Sequence, residues 1–404
     1  KHGGSFLSED KKRYIEENSK ILKQKHPYYY QEVAYFFEMD PNRDIRKYVE
    51  WKLMSKIQKT TTLVFNHNLG GGATSYLDAR EQEILNRGEA FCLIRCNYDI
   101  GRTEVIYKYQ DNCVKFRVHN LEGIEDMMKR VMPDKIIINE FVSYPQLYDV
   151  LNVVVDYRKN NETELTFLVH DFYLVCPTVN LLDDCDKHCG IPEIERCEKC
   201  VKNNCELRYL DFESMKEWRK EWGKFIKACD HVIAFSNDSK EIVEKTYGKL
   251  ENLQVIPHKI DYLPVIKKQY KHTKTLDIGL LGTLVKHKGA EIVKETLQYI
   301  EQNNLNINIV LIGQSGENIR NKHFVETGVY SRDMIPRLIF ENDIDVFWIS
   351  SIWPETFSYT TEEIMTMKFP VMSFNLGAPS ERIKKYEKGA IIANMVPEEV
   401  VSVA

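Results

Sequence analysis

Two carboxylates, Glu355 and Glu363, stand eight residues apart in Trp353-Pro354-Glu355-Thr356-Phe357-Ser358-Tyr359-Thr360-Thr361-Glu362-Glu363. The first falls on a loop and the second within a helical pattern, so a helix start lies between them. Carboxylates placed this way can hold the hydroxyls of a polyol, and the unpaired N–H groups of the helix start can meet a phosphate. A capping pair on a solvated helix is the ordinary alternative. A second segment, Gly282-Thr283-Leu284-Val285-Lys286-His287-Lys288-Gly289, follows an apolar run and opens another helical pattern. Two lysines and a histidine beside a helix start make an anion site suited to a diphosphate, against the alternative of a solvated basic loop. A third, Gly70-Gly71-Gly72, also sits between an apolar run and a helical stretch. It lets backbone approach an anion closely, although a tight turn would need the same residues. Neither the dinucleotide fingerprint nor the Gly-Lys-Ser/Thr of a nucleotide triphosphatase is present, so those two readings drop out.

The ten cysteines are unevenly placed. Cys92, Cys96, Cys113 and Cys229 are scattered through apolar or mixed segments and read as small buried hydrophobes. The other six fall between Cys176 and Cys205. Within that cluster, Cys185-x3-Cys189-x7-Cys197-x2-Cys200 has the ligand spacing of a tetrahedral thiolate zinc site, with Cys176, His188 and Cys205 as substitutes. Reduced free thiols and disulfides are the competing readings. A four-thiolate site would be closed, and therefore structural. Asp184-Cys185-Asp186 also offers an Asp-x-Asp, whose place inside the cysteine cluster argues against a catalytic ion.

These residues need elements to position them. From residue 61 onward, short apolar runs (62–65, 90–95, 135–139, 165–170, 231–235 and 255–257) alternate with helical patterns, which indicates a parallel sheet covered on both faces. A linker pattern over 262–274 leads into a second alternating series with strands at 277–281, 307–312, 346–349 and 371–374. The expected organisation is a helical extension over 1–60, one doubly wound domain over 61–262 containing the cysteine-rich insertion 176–205, and a second over 275–404. Ligands of such sheets sit beyond the carboxyl ends of the strands, which is where the three segments fall. The extension's aromatic clusters, Tyr28-Tyr29-Tyr30 and Tyr35-Phe36-Phe37, are expected to pack on the main body, with docking to a membrane surface or acceptor as the alternative. Composition agrees with a globular chain: 43% hydrophobic and 28% charged residues, and a formal net charge of −5. That balance argues against a nucleic-acid binder working through a general positive field. No apolar run approaches the roughly 18 residues of a spanning helix. The chain begins without Met and ends in a helical pattern, which reads as a piece of a longer protein.

Pro354-Glu355-Thr356-Phe357-Ser358 with Glu363, then Phe369-Pro370-Val371-Met372 and Gly377-Ala378-Pro379, resembles the glutamate–seven–glutamate region of glycosyltransferase family 4. The glycine loop and the His-Lys-Gly loop occur in that family's order, so the resemblance covers about residues 61–395. It implies the GT-B fold, an α/β architecture of two Rossmann-like domains facing across a cleft, and retention of anomeric configuration. It also implies roles. Gly71 and Gly72 would line the donor or acceptor side, and His170 in Leu168-Val169-His170-Asp171-Phe172 would face the donor sugar. Lys288 would bind the diphosphate, Glu355 the sugar hydroxyls, and Glu363 the ribose, with Phe357 and Ser358 backbone near sugar and phosphate. Thr283 departs from the family, many of whose members have Arg there; Lys286 or His287 is the expected source of the missing charge. The segments Asp171-Phe172-Tyr173-Leu174-Val175-Cys176-Pro177 and Cys189-Gly190-Ile191-Pro192 resemble an insertion in bacterial O-antigen and capsule enzymes of this family.

The expected function is therefore metal-independent, retaining transfer of a hexose, such as rhamnose, from a nucleotide-diphosphate sugar to a cell-surface polysaccharide or glycolipid acceptor. No cofactor is expected for the chemistry, and zinc only as a structural ion. Expected partners are the donor, a glycan or lipid-linked glycan, and further domains of a longer polypeptide, but not nucleic acid. The expected place is the cytoplasm, at the inner face of the cell membrane. The rival reading is a catalytically inactive nucleotide-sugar- or glycan-binding domain of a larger synthase.

Overall fold

The computed structural model describes residues 9–56, 59–97, 102–118, 120–142, 144–204, 207, 213–260, 262–267 and 275–404. Its first sheet has eight strands: β1 (Thr61–His67), β2 (Ala90–Asn97), β3 (Arg102–Tyr109), β4 (Asn112–Val118), β5 (Lys135–Ile138), β6 (Glu164–Val169), β7 (His231–Ala234) and β8 (Leu253–Val255). Their spatial order is β4-β3-β2-β1-β5-β6-β7-β8. From β2 to β8 the pairing is parallel, and every residue of β1 is buried, as a central strand covered on both faces requires. The sheet is not wholly parallel, however. β3 and β4 add an antiparallel ribbon beyond β2. In β4, Val114, Phe116 and Val118 face in while Cys113, Lys115 and Arg117 face out, the period-2 pattern of a sheet covered on one side.

The second sheet comprises β9 (Leu276–Leu284), β10 (Ile307–Ser315), β11 (Phe324–Glu326), β12 (Val346–Ile349), β13 (Val371–Phe374) and β14 (Gly389–Ile392). It is parallel throughout, in the order β11-β10-β9-β12-β13-β14. Leu263 and Ile266, from the stretch with linker composition, are buried in this sheet's core, and Ile266 N–H donates to Met367 O at 3.0 Å.

Of the three N-terminal helices, Arg43–Ser55 is the one that reaches the first sheet. Trp51 is fully buried, its ring 4.8 Å from Phe116, and Tyr48 stands beside it. The helices Glu9–Lys25 and Tyr29–Met39 do not follow it down. Tyr28, Tyr29, Tyr30, Tyr35, Phe36 and Phe37 all remain exposed, against the packing expected of them. The helix Tyr29–Met39, which carries most of them, buries no residue at all. Among the described residues, no helix is long and apolar enough to cross a membrane.

Candidate active site between the two sheets

The carboxyl ends of both sheets open on a common cleft of about 610 Å³. From the first sheet, the end of β1 supplies His67, the residues after β5 supply Glu140, and the residue after β6 is His170. From the second come Lys288, Glu355, Phe357 and Ser358. The helix Gly71–Asn86 starts at one wall and the helix Tyr359–Thr366 at the other. Two helix starts aimed at one space concentrate unpaired N–H groups and partial positive charge there. Gly70 and Gly71 both take φ near +80°, which lets the backbone turn directly from β1 into its helix. Gly72 lies against Tyr359, whose ring a Cβ would meet at 3.0 Å.

The loop after β9 is clamped so that Lys288 meets Glu355. Ser350 Oγ donates to Lys288 O at 2.6 Å, and Ile352 N–H donates to His287 O at 3.2 Å. Gly289 has φ +87° and lies so close to β12's end that a Cβ would fall 2.0 Å from Ser350 O. Only glycine fits. The Glu355 loop is held in turn by Gly377-Ala378: Gly377 packs against Pro354, and Ala378 N–H donates to Glu355 O at 2.9 Å. The result is an ion pair with Lys288 Nζ 2.8 Å from Glu355 Oε1. Burial alone would raise the Glu355 carboxyl, but Lys288 and the Ser351 hydroxyl hold it below its ordinary value.

His170 is also fixed. Asn139 donates through Nδ2 to Asn66 Oδ1 at 2.9 Å and to Ala73 O at 3.2 Å, so its Oδ1 faces His170 Nε2 at 3.0 Å. That network assigns the proton to Nε2 and leaves Nδ1 as an acceptor. Burial, followed by the nearby His258 and His67, pushes the imidazole well below its ordinary pKa, so it is neutral at pH 7. The same holds around it. Burial lowers His67, takes His258 down to about 3, and takes His287 to about 4 with help from Lys288. Thr356 Oγ1 donates to His170 O at 2.6 Å, joining the two walls.

Several sequence-predicted residues lie elsewhere. Glu363 is buried but is not on the cleft wall: Tyr262 OH donates to its Oε1, and Arg332 Nε is 3.4 Å away. Burial raises its carboxyl above the ordinary range, opposed by Tyr262 and Arg332. Thr283 lines a small adjoining recess with Lys288 and Glu355. Lys286 is drawn out of the cleft to Asp186, 2.7 Å away, whereas His287 stays on the wall but neutral. Arg332 also lines the cleft, donating through Nη2 to Ser75 Oγ at 2.9 Å. Sequence reasoning missed Arg332, His258 and Glu140. Each follows a strand, and that position is the one signal that could have found them. Of the proposed zinc ligands, Cys189, Cys197 and Cys200 line one cavity without three sulfurs within 4.8 Å of one another, while Cys185 is exposed beside Asp183 and Asp184 and is not among that cavity's lining residues. Cys205 lies outside the described residues.

Residues 264–402 match the family described as glycosyl transferases group 1. No curated protein matches the chain by sequence. Among solved structures, similar ones include a sucrose-phosphate synthase from Thermosynechococcus elongatus (12% identity, 86% of this chain and 88% of that one, TM-score 0.55). Anabaena Alr3699/HepE in complex with UDP and glucose is similar at 14% identity, 85% and 88% coverage, and TM-score 0.54. The lipopolysaccharide outer core galactosyltransferase WaaB in its apo form is similar at 11% identity, 85% and 88% coverage, and TM-score 0.53. The architecture is the GT-B fold. With the match over 264–402, it supports a GT-B glycosyltransferase.

Proposed function

We propose that this chain transfers a sugar, with retention and without a catalytic metal, from a nucleotide-diphosphate sugar to a glycan acceptor. One observation carries the reading: the Lys288–Glu355 ion pair stands where helix starts from both sheets converge on one cleft. Lys288 and the start of the helix Tyr359–Thr366 meet the diphosphate, and Arg332 adds the second positive charge. These groups are fixed before reaction, so they stabilise the charge that grows on the departing phosphate without reorganising. Glu355 receives sugar hydroxyls while remaining ionised beside Lys288. Neutral His170, with Nε2–H committed to Asn139, offers Nδ1 to a sugar hydroxyl rather than a positive charge to an oxocarbenium-like centre.

In the retaining step, the bond from the anomeric carbon to the phosphate oxygen breaks and the acceptor oxygen bonds to the same face of that carbon. The acceptor's hydroxyl proton passes to the leaving phosphate. No side chain is required as a covalent nucleophile. Glu363 takes the ribose hydroxyls once Tyr262 gives way. A hexose donor and a cell-surface polysaccharide or glycolipid acceptor complete the reading, supported by the sequence resemblance of the insertion.

The test is a thermal-shift screen of nucleoside diphosphates and their sugars, followed by product analysis with the best donor. Binding at one hundred times Kd contributes about 2.7 kcal/mol of apparent stability, which such a screen detects. Transfer or donor hydrolysis, with the anomeric configuration kept by NMR, is the expected result. Inversion would overturn retention. Donor binding with neither transfer nor hydrolysis would favour an inactive binding domain.

A further inference from the structure

Outside the cleft, Cys176, Cys189, Cys197 and Cys200 line one cavity of about 120 Å³, with no three of their sulfurs within 4.8 Å of one another, so an ion would have to draw the side chains inward. It lies between the loop that follows β6 and the helix Ile194–Asn203. Cys197 and Cys200 are both buried and three residues apart on that helix, so their side chains share a face. Cys176 and Cys189 each open a similar turn. Ile191 N–H donates to Cys189 Sγ at 3.4 Å, and the Thr178 backbone donates to Cys176 in the same two-residue relation, with the Thr178 hydroxyl adding a bond at 3.3 Å. From a separate helix, Met215–Ala228, Arg219 Nη2 donates to Cys197 Sγ at 3.4 Å. Cys185 shares none of this. It is exposed, with its sulfur beside the Asp183 and Asp184 carboxylates.

Cys197 Sγ also donates to Pro192 O at 3.7 Å, as a neutral thiol does, so an ion would have to displace that proton; the Arg219 guanidinium and the two turn N–H groups are then placed to meet the thiolates it creates. Four thiolates around one divalent ion carry two net negative charges, and Arg219 with the N–H groups faces that charge. We propose that Cys176, Cys189, Cys197 and Cys200 bind one structural Zn²⁺, with Cys176 taking the place that spacing alone gives to Cys185. A tetrahedral all-sulfur set suits zinc and leaves no open position for catalysis. The ion would pin the chain that leaves β6 just after His170, and with it the loop whose Asp186 reaches Lys286. Its role is to hold that crossing in place.

The experiment is elemental analysis of the whole chain purified without added metal, comparing wild type, Cys176→Ser and Cys185→Ser. Expected are one zinc per chain in wild type and in Cys185→Ser, and loss of stoichiometric zinc in Cys176→Ser. Should Cys176→Ser fail to fold, wild type still decides the matter by alkylation mapped with mass spectrometry. Cys176, Cys189, Cys197 and Cys200 should be shielded until a strong chelator is added, and Cys185 labelled throughout. Chelation should also lower the melting temperature, because metal binding is linked to folding. Zinc retained by Cys176→Ser but lost by Cys185→Ser would overturn the ligand set. Metal-free protein, iron in place of zinc, a disulfide among the four, or labelling indifferent to chelator would overturn the site.

Discussion

On the first-sheet side of the cleft, buried His67 and half-buried His170 and His258 are neutral, whereas on the second-sheet side Lys288 pairs with Glu355, and Arg332 with Glu363 behind the wall. The first wall is built by desolvation and the second by ion pairs. Burial disfavours the charged form of an imidazole, so a histidine cluster becomes a set of neutral hydrogen-bonding groups. A lysine and a carboxylate 2.8 Å apart keep each other ionised even where water is scarce. A departing diphosphate needs the second kind of wall, and a sugar with its acceptor needs the first. The comparison predicts that substitutions on the charged side act on turnover and donor affinity, while those on the neutral side act more weakly and without a histidine titration.

The largest expected effect is that of Lys288→Ala. Losing a preorganised donor at a developing oxyanion costs about 10²–10³ in kcat. It also leaves Glu355 buried without its cation, so stability should fall. The double variant Lys288→Met/Glu355→Gln removes both charges and should recover much of that stability without recovering turnover. Single-turnover kinetics and thermal melts on both proteins check this. Wild-type turnover in Lys288→Ala would break the comparison at its strongest point.

Next comes Glu363. A hydrogen bond to a charged group contributes about 1.5–3 kcal/mol, so Glu363→Ala should weaken donor binding roughly tenfold or more. Because burial raises this carboxyl, donor affinity should fall as pH drops through a range above that of an exposed glutamate. Tyr262→Phe removes the hydroxyl that competes for the same oxygen and should tighten donor binding. Calorimetry across pH measures all three. An unchanged affinity in Glu363→Ala would remove the ribose role.

The charged wall was the more legible one in sequence, and for a physical reason. Lys288 and Glu355 lie in short segments, and Glu363 in the helix that follows, whose neighbouring glycines and prolines are dictated by local geometry, such as Gly289 against Ser350 O and Gly377 against Pro354. Such constraints leave their mark in adjacent residues. The neutral wall is assembled from β1, β5, β6 and β8, far apart in sequence, and nothing near Glu140 or His258 announces that they will meet. Arg332 was hidden in the same way, arriving from the stretch between β11 and the helix Ile335–Glu341. The central parallel strands were evident as apolar runs. β4 was not, since a strand with one solvated face alternates charged and apolar residues and forms no run; in β3 the only run is the short Val105-Ile106-Tyr107, flanked by charged residues. Spacing also gave no sign that Cys185 would stand outside the cavity of Cys189, Cys197 and Cys200, in a turn set by Asp183, whose Oδ1 accepts from the N–H groups of Cys185 and Lys187.

A smaller effect is expected at His170. His170→Asn should lower kcat by less than the roughly 10²–10⁴ of a general acid or base, because the imidazole only orients a sugar hydroxyl. The sign of the pH dependence is the sharper test. With its pKa pushed well below 6.5, His170 is already neutral at pH 6, so the wild-type rate should show no histidine limb between pH 6 and 8. A limb near 6.5 that vanishes in His170→Asn would show that the imidazole works charged, and the contrast between the walls would fail.

The smallest expected effect concerns the one place where the neutral wall carries acids. Glu140 is buried at the cleft, and burial followed by the Asp171 carboxyl raises it well above the ordinary carboxylate range. Burial likewise raises Asp171 to about 7, although its Oδ1 accepts from Tyr173 N–H at 2.8 Å. The pair therefore keeps a proton in the folded state at pH values where the unfolded chain has lost it. With unfolded pKa values near 4, the native state binds more protons than the unfolded state from about pH 4 up to about pH 7. The pair's contribution to stability must then decrease as pH rises through that window, and beyond it for as long as Glu140 keeps its proton. The buried histidines have the opposite sign below about 6.5, so the comparison has to be made between proteins rather than along one curve. Asp171→Asn and Glu140→Gln should each be less sensitive than wild type to a rise from pH 5 to pH 7.5, with melting temperatures that converge on or exceed the wild type at the upper end. Denaturant melts at both pH values measure the slope. The same loss in the variants as in wild type would mean that the pair is ionised in the folded protein, and that the first wall holds charge after all.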